Sequence, residues 1–155
     1  FEPGFESNFS GLFGMNRIDN NWILTGELNL QMENYFKSAE RGEFFWRRID
    51  SLSQTIKIGT ILPHPFGWRT GVDLNYQHEI FRGLYASIES RYLLSTYFPL
   101  IGTTGFGYVT GKTTPTIIGK ENGYEKTLYY AFSLFSKKEN LNNLLIFLTY
   151  NLCKK

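Results

Sequence analysis

The ten residues Leu24-Thr25-Gly26-Glu27-Leu28-Asn29-Leu30-Gln31-Met32-Glu33 alternate without a break. Leu24, Gly26, Leu28, Leu30 and Met32 hold one parity, and Thr25, Glu27, Asn29, Gln31 and Glu33 hold the other. Successive side chains of a β-strand point to opposite faces, so this stretch reads as a strand with one apolar side and one polar side. A helical period of 3.6 would scatter both kinds around the cylinder.

The pattern recurs on both sides of this stretch. From Gln54 to Leu62, Ile56, Ile58, Thr60 and Leu62 oppose Lys57, and from Trp68 to Gln77, Trp68, Val72, Leu74 and Tyr76 oppose Arg69, Asp73, Asn75 and Gln77. Leu84, Ala86, Ile88 and Tyr92 face away from Ser87, Glu89 and Arg91, and Phe106 and Tyr108 face away from Gly105 and Gly107. Two further strands set Leu128, Tyr130, Phe132 and Leu134 against Tyr129, Ala131 and Ser133, and Ile146, Leu148, Tyr150 and Leu152 against Thr149 and Asn151. Weaker alternation at Phe9 to Met15 and at Glu43 to Ile49 brings the expectation to roughly nine strands. Turn clusters at Arg17 to Asn21, Lys37 to Gly42, Asp50 to Ser53, Pro63 to Gly67, Glu79 to Gly83 and Ser136 to Asn143, with a longer joint at Gly111 to Gly123, separate them. No helix-length amphipathic stretch intervenes, which excludes a parallel βαβ arrangement and points to an all-β antiparallel up-and-down meander forming one domain over residues 1–155.

Composition agrees. Aromatic residues make up 17% of the 155, with 14 Phe, 10 Tyr and 3 Trp, while alanine is scarce, a balance that suits strands. Charges of both signs are mixed to a net +2, so no basic block marks a nucleic-acid partner. The single cysteine, Cys153, has no partner for an internal disulfide and no zinc-site spacing. No window reaches the ~18 apolar residues of a membrane helix. The chain begins at Phe1 with no signal-like segment and reads as a mature or trimmed form. Mean hydropathy is −0.26, but strands that alternate apolar and polar residues escape hydropathy averages.

Alternation is shared by membrane barrels and by soluble sandwiches and lipocalin-like barrels. Three features favour a transmembrane β-barrel. The clear strands approach or exceed the ~9–11 residues that cross a bilayer at a tilt, against ~5–6 in ordinary sheets. Aromatics gather at strand ends, at Trp22, Tyr35, Phe36, Phe66, Trp68, Tyr97, Phe98 and Tyr124, as interfacial belts require. The polar parity carries Glu27, Asn29, Gln31, Glu33, Lys57, Arg69, Asp73, Asn75, Glu89 and Arg91, of both signs, which a wide barrel would turn toward a wet lumen.

Phe9-Ser10-Gly11-Leu12-Phe13-Gly14, then Leu24 to Leu30 leading to Glu33-Asn34-Tyr35-Phe36, then Gly42-Glu43 and Trp46-Arg47-Arg48, resemble the opening barrel strands of the BamA/TamA superfamily of outer-membrane assembly and translocation proteins, in the style of its Bacteroidota members. The similarity spans Phe9 to Tyr76, about half the chain. It implies a place in the bacterial outer membrane, a lipid bilayer and client outer-membrane proteins as partners, other assembly-machine subunits, and a mechanism in which the first strand, Phe9 to Gly14, templates an incoming strand. Members of the superfamily have sixteen strands and a preceding set of POTRA domains; the smaller strand number here implies the first half of a larger barrel or a shortened relative. The family orientation would make the Lys37 to Gly42 and Pro63 to Gly67 turns periplasmic and the Gly111 to Gly123 joint extracellular. The alternative is a small closed barrel acting as a passive pore or a structural or adhesive protein.

Catalysis is not expected. His64 lies in a Pro-flanked turn, and His78 beside Glu79 has no G-x-S-x-G serine to serve. Glu27 and Glu33, six residues apart on one strand, stand roughly 20 Å apart, too far for paired carboxylate chemistry. Gly102 to Gly107 lacks P-loop spacing, and no cofactor or metal is implied.

Overall fold

A computed structural model describes residues 6–18, 20–34, 39–100, 102–137 and 150–154. Nine strands, β1 (Glu6–Ile18), β2 (Asn21–Glu33), β3 (Arg41–Arg48), β4 (Gln54–Leu62), β5 (Thr70–Phe81), β6 (Tyr85–Phe98), β7 (Gly102–Pro115), β8 (Thr127–Lys137) and β9 (Tyr150–Lys154), form one antiparallel sheet in chain order. The only helical pieces among the described residues are a 3-10 turn at Pro65–Gly67 and α1 (Ile117–Glu121). The sheet is open: β1 and β9 are its two edges and do not pair with each other.

Pairing runs without a bulge from β1 to β9, so one parity stays on one face across the whole sheet. Leu28, Trp46, Ile56, His78, Ile88, Lys112 and Leu128 lie in one cross-strand row. Phe9, Phe13, Leu30, Phe44, Ile58, Leu74, Tyr92, Phe106 and Phe132 share that face and make it apolar. Rings stack along it: Phe13 on Trp46 with centroids 6.1 Å apart, Tyr92 on Tyr108 at 6.1 Å, and Tyr108 against Phe132 at 4.9 Å. Among the described residues nothing covers this layer. Among the described residues no large apolar side chain is buried, and Phe9 is 66% exposed, Leu94 48% and Phe106 46%. On a sheet nine strands wide, a band ~25 Å tall amounts to on the order of 1,000 Å². Contiguous apolar patches on soluble monomers reach roughly 300–600 Å².

The strand ends step sideways across the sheet. Beyond the Leu28 row, β2 runs on five residues to Glu33, whereas β6 runs on ten from Ile88 to Phe98. Toward the opposite rim, β2 extends seven residues from Leu28 back to Asn21, but β8 only one, to Thr127. The drift is about one residue per strand; with ~3.3 Å per residue and ~4.8 Å between strands it corresponds to a tilt of about 35°. This is the stagger that lets a sheet wrap into a barrel wall.

Several boundaries differ from the sequence expectation. The strand expected to start at Trp68 begins at Thr70, leaving Trp68 and Arg69 in the connection, and it continues through Glu79 to Phe81. The turn there shrinks to Arg82–Leu84, where Arg82 (φ 46) and Gly83 (φ 64) take the positive φ that tight hairpins need. The Gly111 to Gly123 joint is also shorter than expected. Gly111 to Pro115 belong to β7, because their partners Tyr85 to Glu89 and Thr127 to Tyr129 hold the ladder despite the glycine, and Pro115, with no N–H to offer, ends it. Arg17 and Ile18 fall in β1 and Asn21 in β2, so the strands reach into the expected first turn, of which Asn20 (φ 66) is the described residue between them. Ser136 and Lys137 are strand; Lys37 and the 138–149 portion of the expected turn and last strand lie outside the described residues, as do Tyr35 and Phe36.

Three connections interlock at the rim carrying the β1–β2 turn, called here the first rim. The Gly83 N–H donates to the Leu52 carbonyl at 3.0 Å, and the Thr116 N–H to the Leu84 carbonyl at 2.8 Å. Thr116 also caps α1, accepting from the Gly119 N–H at 3.1 Å, and its hydroxyl donates to the Gly83 carbonyl at 2.6 Å. Gly119 packs so closely that a Cβ there would overlap the Leu84 carbonyl oxygen. Helix propensity alone makes Gly119→Ala stabilising by about 0.5–1 kcal/mol. The packing reverses the sign: the expected result is a loss of about 1–3 kcal/mol in a denaturant titration, with Lys120→Ala on the open side of α1 near neutral.

Candidate functional site

The opposite face collects the charges. Glu27, Asn29, Gln31 and Glu33 of β2, Lys57 of β4, Asp73 and Asn75 of β5, and Glu89 and Arg91 of β6 share its parity. Of the ten polar positions singled out in the sequence, Arg69 alone lies outside a strand, in the connection before β5. Strand β3, only weakly legible beforehand, contributes the partners. Arg47 pairs with Glu27 through Nη2–Oε2 at 2.6 Å, its Nε donating to the same oxygen at 2.7 Å, and Arg41 Nε stands 3.2 Å from Glu33 Oε1. The two carboxylates of β2 thus each meet an arginine directly across the pair, as the antiparallel register places Glu27 opposite Arg47 and Glu33 opposite Arg41.

Between these pairs the face is stitched by aromatic and glycine positions. Phe45 lies under two cations, with the Arg47 guanidinium carbon 5.4 Å and the Lys57 ammonium 6.0 Å from its ring centroid. The buried positions in mid-strand on this face are glycines: Gly59, Gly105, Gly107 and Gly111. At Gly59, Gly107 and Gly111 the absent side chain gives a neighbour somewhere to lie. Glu89, Gly111 and Tyr129 are consecutive in one cross-strand row, and the Tyr129 ring lies over Gly111 to donate its hydroxyl to Glu89 Oε2 at 2.6 Å, bridging β8 to β6. The Glu43 side chain lies across Gly59 in the same manner. Asn75 donates to Asp73 at 2.5 Å.

Two shallow clefts open here. One, about 270 Å³, is lined by Gln31, Glu33, Arg41, Glu43, Gly59 and Asn75; the other, about 200 Å³, by Glu43, Lys57, Asn75, Gln77, Glu89 and Arg91. Both are polar, of mixed sign and open, which suits water and counter-ions. Among the described residues no group of His, Cys, Asp and Glu side chains is arranged to hold a metal ion. His78 and Glu79, adjacent in β5, project to opposite faces, which separates the one histidine–carboxylate neighbour pair in the sequence.

The six residues Phe9 to Gly14 lie inside β1, which is longer than the alternation at Phe9 to Met15 indicates and pairs with β2 along its full length. Phe9, Gly11 and Phe13 stand on the apolar face; Ser10, Leu12 and Gly14 stand on the charged face. Among the described residues the other edge of β1 has no partner strand. Gly26 (φ 149) brings the two strands together, since the Leu12 carbonyl oxygen occupies the place a Cβ would take.

Tyr129, Gly111, Glu43 and Arg47 are not among the candidate site residues read from the sequence. Only the register makes them a set, because Tyr129 and Glu89 are forty residues apart. Removing the hydroxyl with Tyr129→Phe is expected to cost about 1 kcal/mol. Gly111→Ala, which displaces the ring, is expected to cost about 1–3 kcal/mol in the native background and under about 0.5 kcal/mol when Tyr129 is already alanine; equal costs in the two backgrounds, read by denaturant titration, would sink this account of the glycine. Comparisons with protein-family models, with curated proteins and with solved structures find no match to this chain.

Proposed function

We propose that this sheet is the wall of a transmembrane β-barrel of the bacterial outer membrane, or a part of such a wall. In this reading its apolar face meets lipid, its charged face meets water, and it serves the assembly or transport of polypeptides by templating along the free edge of β1. The observation that carries the reading is the uncovered apolar face, roughly two- to threefold larger than a patch a soluble monomer leaves in water. Each large apolar side chain that reaches hydrocarbon gains roughly 1.5–3 kcal/mol over exposure to water. The tilt of about 35° falls at the low end of the range for membrane barrels. Trp22 and Phe98 stand at opposite ends of the apolar face, each at a strand terminus, and the Trp22 indole is the kind of amphipathic ring that meets headgroups.

The templating role rests on the first strand. In hydrocarbon an unpaired edge costs several kcal/mol for each unsatisfied N–H or C=O. The β1 edge therefore demands a partner, whether the last strand of a closed wall or a strand still being assembled. The small side chains of Ser10, Gly11 and Gly14 make its hold weaker than that of the aromatic-rich β6–β8 region. The likeness of Phe9 to Tyr76 to the BamA/TamA barrel opening supports the same reading. The paired charges of Glu27–Arg47 and Glu33–Arg41 favour a second one, a wall whose side-chain lattice fills or tunes a passive pore.

One experiment tests the lipid-facing assignment that both readings share, and a second separates them. Leu28→Arg is expected to destabilise the chain refolded in lipid vesicles by about 2–4 kcal/mol, while Asn29→Arg, one residue along on the other face, changes it by under about 0.5 kcal/mol. Equal effects would remove the lipid-facing assignment. A photo-crosslinker at Ser10 is expected to capture a pulse-labelled nascent porin, and one at Thr110 is not; capture of this protein's own last strand alone would favour the passive wall.

A further inference from the structure

The cations of the apolar face are gathered at one end of it. In β1–β8 this face carries no aspartate or glutamate, and its basic residues are Arg17, Arg48 and Lys112, with His78, all toward the first rim. Arg17 is the penultimate residue of β1, Arg48 the last residue of β3, and Lys112 lies three residues before the end of β7. At the opposite rim the same face presents hydroxyl groups such as Thr70, Thr96 and Thr104.

Their local contacts point the charges outward along the rim. The Arg17 guanidinium carbon stands 6.0 Å from the Trp22 ring centroid and hydrogen-bonds the Asn20 side chain. Arg48 spends its Nε on the Asp50 carbonyl at 3.2 Å. Lys112 is exposed and stands in register between Ile88 and Leu128, apolar neighbours that a lysine stem can cover while its charge reaches the rim. Among the described residues the two salt bridges both lie on the other face, so no carboxylate neutralises these three. Whatever covers the apolar face must then supply anions at this rim and none at the other.

We infer that the first rim sits in a lipid leaflet with anionic phosphate headgroups, bound by Arg17, Arg48 and Lys112, an inference that rests on lipid covering the apolar face. The chemistry matches. A guanidinium forks onto phosphate oxygens, a lysine snorkels to reach them from a hydrophobic wall, and an indole beside the arginine occupies the same interfacial layer. Within β1–β8 that face has no acidic side chain to repel such headgroups.

The test uses the full chain refolded into vesicles of phosphatidylcholine alone and of phosphatidylcholine mixed equally with phosphatidylglycerol, followed by urea titration. The expected result is a preference for the anionic vesicles of roughly fivefold in the folding equilibrium per cation. It is lost in R17Q/R48Q/K112Q and kept in K57Q/R69Q/R91Q, which removes as much charge elsewhere. Lys112→Gln alone, at an exposed position, is expected to lose about one cation's share and serves if the triple variant does not refold. Inorganic phosphate added to neutral vesicles should not reproduce the preference; if it does, a free-anion site replaces the leaflet. Quenching of Trp46 by brominated acyl chains, in a W22F/W68F background, reports on the underlying reading. No quenching means that lipid does not cover the face, and both fall. Quenching with the preference intact in R17Q/R48Q/K112Q overturns the rim inference alone.

Discussion

Register is the constraint from which everything else in this molecule follows. Eight antiparallel pairings run from β1 to β9 with no bulge, and a slip of one residue in any of them would send the apolar residues of every later strand to the charged side. Because no slip occurs, Phe9 in the first strand and Phe132 in the eighth belong to the same surface although more than a hundred residues separate them. The surface so made is wider than the apolar patches soluble monomers expose, and the proposed membrane reading rests on it.

The charged face solves a different problem. A wall one residue thick has no core in which large side chains interdigitate, so cohesion between strands must come from the ladder and from cross-strand side-chain contacts. Here those contacts are arginine–glutamate pairs between β2 and β3, cations over Phe45 between β3 and β4, and the Tyr129–Glu89 bond across β7. The last depends on Gly111, which weakens its own strand and permits a contact between strands that are not neighbours. Exposed ion pairs are individually worth little, about 0.2–1 kcal/mol, so the set acts more on pairing specificity than on stability.

Among the described residues the first rim is the better organised of the two. Leu52, Gly83, Leu84 and Thr116 join three successive connections by backbone hydrogen bonds, and α1, within the last of them, packs on Leu84. Satisfying polar backbone groups within the rim matters most in the proposed reading, where headgroups would displace water around Arg17, Arg48, Lys112 and Trp22.

Alternation along the chain was enough to establish an all-β meander of nine strands and to sort Glu27, Lys57, Asp73 and Glu89 from Leu28, Ile58, Leu74 and Ile88, because a strand's side-chain period is local and independent of its neighbours. Strand ends were less legible. Gly111 to Pro115 and Glu79 to Phe81 carry turn-forming or polar residues, yet pairing with an adjacent strand holds them extended, and pairing is not written in any one segment. Which arginine meets which glutamate, which ring lies over which glycine, and the gathering of cations at one rim of the apolar face were decided only in the sheet. They depend on register and on the one-residue stagger between strands, and both are set by contacts between residues tens of positions apart.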